Sequence, residues 1–170
     1  MEESRATSKH KITAESISVP LLHPPGAVDT ETFLQKCTGA GRCVEACPHG
    51  SISLMSLEGQ NIVPVINPAI SPCFLCEPAP CADACESGAL EQIDMHRVRM
   101  GIANLDPYLC LRFGGEDCTV CYDSCPLKDE AILWEEEIEA PLINMDKCTG
   151  CGVCMFKCPA PERPISIVIA

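Results

Sequence analysis

Fifteen of the 170 residues are cysteine, and they fall into four groups. The first holds Cys37, Cys43 and Cys47, and the second Cys73, Cys76, Cys81 and Cys85. The third holds Cys110, Cys118, Cys121 and Cys125, and the fourth Cys148, Cys151, Cys154 and Cys158. Thiols at this density either close disulfides or hold metal. The fourth group, "CTGCGVCMFKCP", reads C-x2-C-x2-C-x3-C-P. Three thiolates at three-residue intervals let one loop wrap a cubane and ligate three of its irons, while the fourth points away to a second cluster. A disulfide framework needs an oxidising compartment and usually an even cysteine count. Zinc expects two ligand pairs separated by a longer loop. The spacing therefore points to iron–sulfur chemistry.

The stretch "CTGAGRCVEACP", residues 37–48, aligns without a gap with residues 148–159 and shares seven of twelve positions. At the fourth position Ala40 stands where the other copy has Cys151. A methyl group does not bind iron, so one site is expected to have three cysteines. That site either lacks one iron, as a 3Fe–4S cluster, or keeps 4Fe–4S with water, a partner's side chain, a histidine or a carboxylate as the remaining ligand. The intact remainder of the motif favours the retained 4Fe–4S form. His10 and His23 lie in the N-terminal stretch and are within reach as candidate ligands, whereas the motif position of His49 carries it toward the other cluster. The ordinary expectation for the histidines is hydrogen-bonded or solvated surface. In the second group the second gap widens to four residues, and in the third the first gap widens to seven, with Gly114 and Gly115 allowing a tight local fold. These extra loop residues are expected to bring backbone N–H groups to the sulfurs.

Each group is followed by a small-residue or proline turn and a short apolar segment: "GSISLM", "SGALEQI", "DEAILW" and "PISIVIA". A unit of cysteine loop, helical turn and strand thus recurs at spacings of roughly 35 residues, the organising repeat of the chain. The first strand is expected to form a hairpin with "GQNIVPVIN", turning near Leu57, Glu58, Gly59 and Gln60. Residues 1–30 carry no cysteine, and Pro20, Pro24 and Pro25 keep them extended. They read as a mobile tail or as an arm, with Val19, Leu21 and Leu22 docking onto a partner or the body. One Trp, two Tyr and four Phe build only a thin core, so ligated iron must staple the fold. Trp134 is expected in that core or as a shield over a cluster. In "WEEEIEAP", Glu135, Glu136, Glu137 and Glu139 read as a charged hairpin edge or as a docking patch for a basic partner. Arg97 and Arg99 are expected to balance nearby acids.

A formal charge of −12 excludes the basic surface that nucleic acid and anionic membranes require. No stretch approaches the ~20 apolar residues of a membrane span. The first residues lack an apolar h-region and a twin-Arg pair, so the expectation is a soluble cytoplasmic protein. No Ser-His-Asp set, phosphate-binding glycine loop or flavin or nicotinamide fingerprint is present, so the expected role is electron transfer rather than catalysis.

Three stretches carry a family resemblance: "PCFLCEPAPCADACESGAL", "RMGIANLDPYLCLRFGGEDCTVCYDSCP" and "DKCTGCGVCMFKCP". Over residues 35–170 the chain resembles the four-cluster polyferredoxins of the NapG/MauM type. The resemblance implies an α+β fold of two ferredoxin-like modules, with short antiparallel strands and small helices around iron–sulfur clusters. It implies nested pairing: an outer module of residues 31–66 and 141–170, an inner module of residues 67–140, and a tail of residues 1–30. The four sites would then be Cys37, Cys43 and Cys158 beside Ala40; Cys148, Cys151, Cys154 and Cys47; Cys73, Cys76, Cys81 and Cys125; and Cys110, Cys118, Cys121 and Cys85. The regular spacing of groups one and four against the modified groups two and three agrees with this. Sequential pairing, one with two and three with four, is the alternative. The implied function is relay of single electrons between a catalytic oxidoreductase subunit and a flavin subunit, a soluble ferredoxin or another copy of the chain. The missing twin-Arg pair points to a tungsten- or molybdenum-dependent oxidoreductase as partner, an aldehyde oxidoreductase first. A redox sensor or a cluster-assembly scaffold is the other reading.

Overall fold

The computed structural model describes residues 22–27, 29–56 and 62–169. Val19, Leu21 and His10, and the turn residues Leu57, Glu58, Gly59 and Gln60, lie outside them. Five short helices and six short strands follow in chain order. They are α1 (Thr30–Lys36), α2 (Arg42–Ala46), β1 (Ile52–Ser56), β2 (Ile62–Ile66), α3 (Pro80–Asp83), β3 (Ile102–Leu105), α4 (Val120–Asp123), β4 (Ile132–Glu135), β5 (Ala140–Ile143), α5 (Val153–Lys157) and β6 (Ile165–Val168), with a 3-10 turn at Met95–Arg97. The longest helix, α1, is set by its ends. Asp29 caps it by accepting from the Thr32 N–H at 2.8 Å, Glu31 sits in the first turn and Lys36 in the last, each matching the helix dipole. Among the described residues, no helix is long and apolar enough to cross a membrane.

Strands pair two by two, all antiparallel: β1 with β2, β3 with β6 and β4 with β5. The hairpin expected after the first cysteine group forms, with Ile52 opposite Ile66 and Ser56 opposite Ile62. Leu22 adds to it: its N–H and C=O exchange hydrogen bonds with Ile66 at 3.0 and 2.7 Å, and its side chain is buried. The end of the N-terminal stretch therefore docks on the body of the protein. The β3–β6 pair joins a mid-chain strand to the C-terminal one, Ile102 opposite Val168 and Leu105 opposite Ile165.

The helices decide which parts of the chain belong together. α2 packs on α3 and β1, while α5 packs on α4 and β6. The nested grouping of residues 31–66 with 141–170 is not the packing observed. Residues 31–66 instead pack against the chain that follows them, and residues 141–170 against the chain that precedes them. The widened gaps of groups two and three are local loop insertions, so they carry no information about partners. The widened seven-residue gap of group three closes on itself: the N–H groups of Gly114, Gly115 and Glu116 donate to the carbonyls of Cys110, Arg112 and Leu111. Those N–H groups go to carbonyls, where the sequence led us to expect sulfur. Arg112, inside the same loop, pairs with Asp117 at 3.2 Å and Glu139 at 3.4 Å and lies 5.3 Å from the Trp134 ring.

The two halves meet at backbone distance. The Cys73 N–H donates to the Cys151 carbonyl, and the Met100 N–H to the Thr149 carbonyl, both at 3.0 Å. Glycine makes this possible. Gly150 has φ +71°, and a Cβ there would stand 2.4 Å from the Gly101 backbone. Gly152 has φ +85°, and its Cβ would stand 2.3 Å from the Pro68 side chain. Gly115 also has a positive φ, +92°, but open space around it. Left-handed backbone alone costs a non-glycine residue about 1–2 kcal/mol. Gly150→Ala is therefore expected to lower the anaerobic melting temperature clearly more than Gly115→Ala, because only the first also forces two backbones apart. Equal losses would show that the close approach contributes nothing.

Candidate metal centres

The cysteines gather into four sets, each drawing its last member from a neighbouring motif. Cys37, Cys43 and Cys85 line one recess together with Ala40. Cys47, Cys73, Cys76 and Cys81 line a second, and Cys125, Cys148, Cys151 and Cys154 a third. The thiols of Cys110, Cys118, Cys121 and Cys158 lie close enough to repel one another when ionised. Helix ends produce the exchange. Cys47 and Cys158 are the C-caps of α2 and α5, and Cys85 and Cys125 follow the C-caps of α3 and α4. A cysteine at the point where the chain leaves its helix faces away from its own loop and toward the neighbouring one.

This is the sequential arrangement, motif one with two and three with four. The nested sets implied by the resemblance do not form: Cys85 stands with Cys43 rather than with Cys110, and Cys158 with Cys118 rather than with Cys37. The reason lies in the packing of α2 on α3 and of α4 on α5.

All fifteen cysteines are free thiols. They surround recesses instead of converging on a point; among the described residues, no three His, Cys, Asp or Glu side chains close around a single metal ion. Sulfur donors spread this way fit a multi-iron core. Backbone N–H groups aim at the sulfurs: Ser51 at Cys47 (3.4 Å), Leu90 at Cys85 (3.3 Å) and Ala103 at Cys148 (3.4 Å). Such bonds stabilise the more negative form of a ligated sulfur and shift cluster potential. Burial pushes the Cys73 thiol up to about 12, and those of Cys43, Cys81, Cys121 and Cys125 up to about 11. Cys154 is pushed well above its ordinary value by burial and then by Cys151 and Cys148. Cys85 is the exception. Burial acts upward there, but the Ser87 hydroxyl and the N–H groups of Leu90, Ala89 and Ser87 together outweigh it and leave the thiol below its ordinary value.

The other residues singled out from the sequence fall as follows. Ala40 is exposed at the rim of its recess. His23 does not join that recess; it stacks on Phe33 at 4.5 Å, and burial lowers its pKa. His49 lies against Phe74 at 4.4 Å and lines the recess of Cys47, as its motif position suggests. Trp134 is half-buried in β4, 5.5 Å from Tyr122, which follows Cys121. The acidic run after it forms a turn between β4 and β5 that Arg112 ties down. Arg99 donates to the carbonyls of Val98 and Asp146 instead of to carboxylates. One residue escaped the sequence reading. Pro48, Pro126 and Pro159 follow the last cysteine of three motifs, but Glu86 follows Cys85. Glu86 lines the same recess as Ala40, so both departures from the repeat fall on one site. The signal was the broken Cys-Pro pair.

Cys43→Ser and Cys85→Ser are expected to perturb the same centre in low-temperature EPR, leaving the centre of Cys110, Cys118 and Cys121 intact. Loss of that other centre in Cys85→Ser would restore the nested arrangement. A second expectation concerns protons. The thiolate is the ligand, while burial favours the protonated form of Cys43, Cys73, Cys81, Cys121 and Cys125, so cluster loading must expel protons. Anaerobic reconstitution in weak buffer should acidify the solution, and retained iron should decline as pH falls. Loading without proton release would contradict the raised thiol values.

Comparison with known proteins points to iron–sulfur chemistry. The 4Fe-4S dicluster domain matches residues 103–159, which span cysteine groups three and four. The methylamine utilization ferredoxin-type protein MauM of Paracoccus denitrificans is 37% identical over 168 residues, covering 92% of this chain and 75% of its own. MauM of Methylorubrum extorquens is 36% identical over 168 residues, covering 92% and 76%. The ferredoxin-type protein NapG of Escherichia coli is 39% identical over 163 residues, covering 86% and 70%. No solved structure matches. These relatives lend no support to the tungsten-enzyme link inferred from the missing twin-Arg pair. With its cysteine groups, its donor geometry and relatives along most of its length, the chain belongs to the MauM and NapG family of ferredoxin-type iron–sulfur electron-transfer proteins.

Proposed function

We propose that the protein relays single electrons along four iron–sulfur clusters set in a line, two in each of two ferredoxin-like units. The line would run from the recess of Cys37, Cys43 and Cys85, through that of Cys47, Cys73, Cys76 and Cys81, to that of Cys125, Cys148, Cys151 and Cys154. It would end at Cys110, Cys118, Cys121 and Cys158. When bound, a cluster supplies a one-electron couple whose potential follows its ligands, hydrogen bonds and burial. The chain's own residues hold the positions. The crossing cysteines tie each pair of sites together, the sulfur-directed N–H groups bias potential, and Phe33, Met95, Ile132 and Ile167 keep water from the interior.

One observation carries the order. The Cys73 N–H donates to the Cys151 carbonyl at 3.0 Å, and the two thiols lie close enough to influence each other, so the second and third sites adjoin. The first and second sites adjoin through Cys43 and Cys81, and the third and fourth through Cys154 and Cys121. A line has two ends, so two redox contacts follow. One would be a catalytic oxidoreductase subunit; relatives named for methylamine utilization make a methylamine-utilising system one candidate. The other would be a flavin subunit, a soluble ferredoxin or a second copy of the chain.

Anaerobic iron analysis with coulometric reduction tests the reading. Fifteen to sixteen irons and about four electrons taken up per chain are expected. About eight irons with two electrons would leave a single dicluster unit and end the four-centre relay.

A further inference from the structure

We infer that the carboxylate of Glu86 is the fourth ligand of the cluster held by Cys37, Cys43 and Cys85, supplying the donor that Ala40 cannot. The inference rests on the reading that this recess holds a cluster.

The motif offers three sulfurs here, and the residue in the fourth ligand's place ends in a methyl group at an exposed rim. Among the described residues that line the recess, Glu86 is the only carboxylate and none is a histidine. An ionised carboxylate binds iron without first losing a proton, whereas the alcohols of Thr38 and Ser87 beside it would have to give one up. Ser87 is also engaged, 3.6 Å from the Cys85 sulfur and accepting from the Ala89 N–H at 3.4 Å. Glu86 is covalently next to Cys85, so its backbone is anchored to the site by a ligand. It also replaces the proline found after Cys47, Cys125 and Cys158, which ties the gain of a carboxylate to the one site that loses a thiol.

Little holds the side chain elsewhere. Among the described residues its one ion pair, to the Arg42 Nε, is 4.0 Å long and joins side chains that are 58% and 84% exposed. Pairs of that kind contribute almost nothing to stability. Arg42 also pairs with Glu45 at 3.5 Å, so the guanidinium keeps a partner when Glu86 turns inward. Bound through oxygen rather than sulfur, one iron of the terminal site would be more exchangeable than the other irons of the chain.

The test uses the full-length holoprotein, purified anaerobically, as wild type, Glu86→Ala, Glu86→Gln, and Ala40→Cys combined with Glu86→Ala. Each is titrated with ferricyanide while iron content and the EPR of the 3Fe form are followed. In the step that is read, one electron passes to ferricyanide and one Fe2+ leaves a 4Fe–4S core, giving 3Fe–4S. Wild type is expected to hold about sixteen irons per chain. The two Glu86 variants should lose one iron about tenfold faster or more, and the added cysteine should restore retention. If wild type holds about sixteen and the Glu86 variants release iron at its rate, Glu86 is not the ligand although the cluster reading stands. A wild type isolated with about fifteen irons and a full 3Fe signal also overturns the inference. About twelve irons would show that the recess takes no cluster, which removes the underlying reading and the inference with it.

Discussion

Everything in this architecture depends on the last cysteine of each motif leaving its own loop for the neighbouring one. A helix of four or five residues cannot return a thiol at its far end to the loop at its start. Cys47 and Cys85, and likewise Cys125 and Cys158, therefore trade places across the helix pairs α2–α3 and α4–α5. Each exchange welds two loops that have little else in common. Few large side chains are fully buried, and the buried thiols of Cys43, Cys73, Cys81, Cys121, Cys148, Cys151 and Cys154 lie among them. The interior is organised around sulfur as much as around hydrocarbon, so burial that would ordinarily favour neutral thiols becomes useful only when a metal core takes the protons' place.

The second constraint is proximity between halves. A relay works only where successive centres are close, and side chains between two loops would hold them apart. Gly101, Gly150 and Gly152 remove those side chains at the junction, and the Cys73–Cys151 backbone bond closes it. Gly150 and Gly152 both take a positive φ, a backbone form that leaves the loop between them free of side chains on the side facing the other half. The same glycine pattern recurs at Gly39 and Gly41, where the chemistry differs. There the loop keeps its shape although Ala40 has lost its sulfur, so backbone form and ligand identity are separable in this repeat.

That separation makes the two ends of the molecule unequal. The site of Cys110 is flanked by a loop hydrogen-bonded to itself and tied to the β4–β5 turn through Arg112. The site of Ala40 is open at its rim, with Arg42 and Glu86 beside it. Hydrogen bonds to Cys85 add to the contrast, because they hold its thiol below its ordinary value where burial raises most of the others.

The spacing of "CTGCGVCMFKCP" was enough to reveal the chemistry, because three-residue intervals match the geometry of a cubane whatever the rest of the chain does. Short hairpins were legible from alternating apolar runs such as "SISLM", and the loss of a ligand at Ala40 from simple alignment. Partner choice was not legible. Which motif receives Cys47 or Cys85 depends on how α2 meets α3, and no local spacing encodes a contact between segments some forty residues apart. The widened gaps pointed the wrong way, since an insertion like that around Arg112 is satisfied within its own loop. The role of Glu86 emerged only once the fold brought it beside Ala40, because the two are distant in sequence and meet only through the crossing of Cys85. Local chemistry, which needs only neighbouring residues, was determined by the sequence itself. The order of the sites and their unequal surroundings were decided by tertiary structure, because both arise from contacts between motifs that the chain makes only when folded.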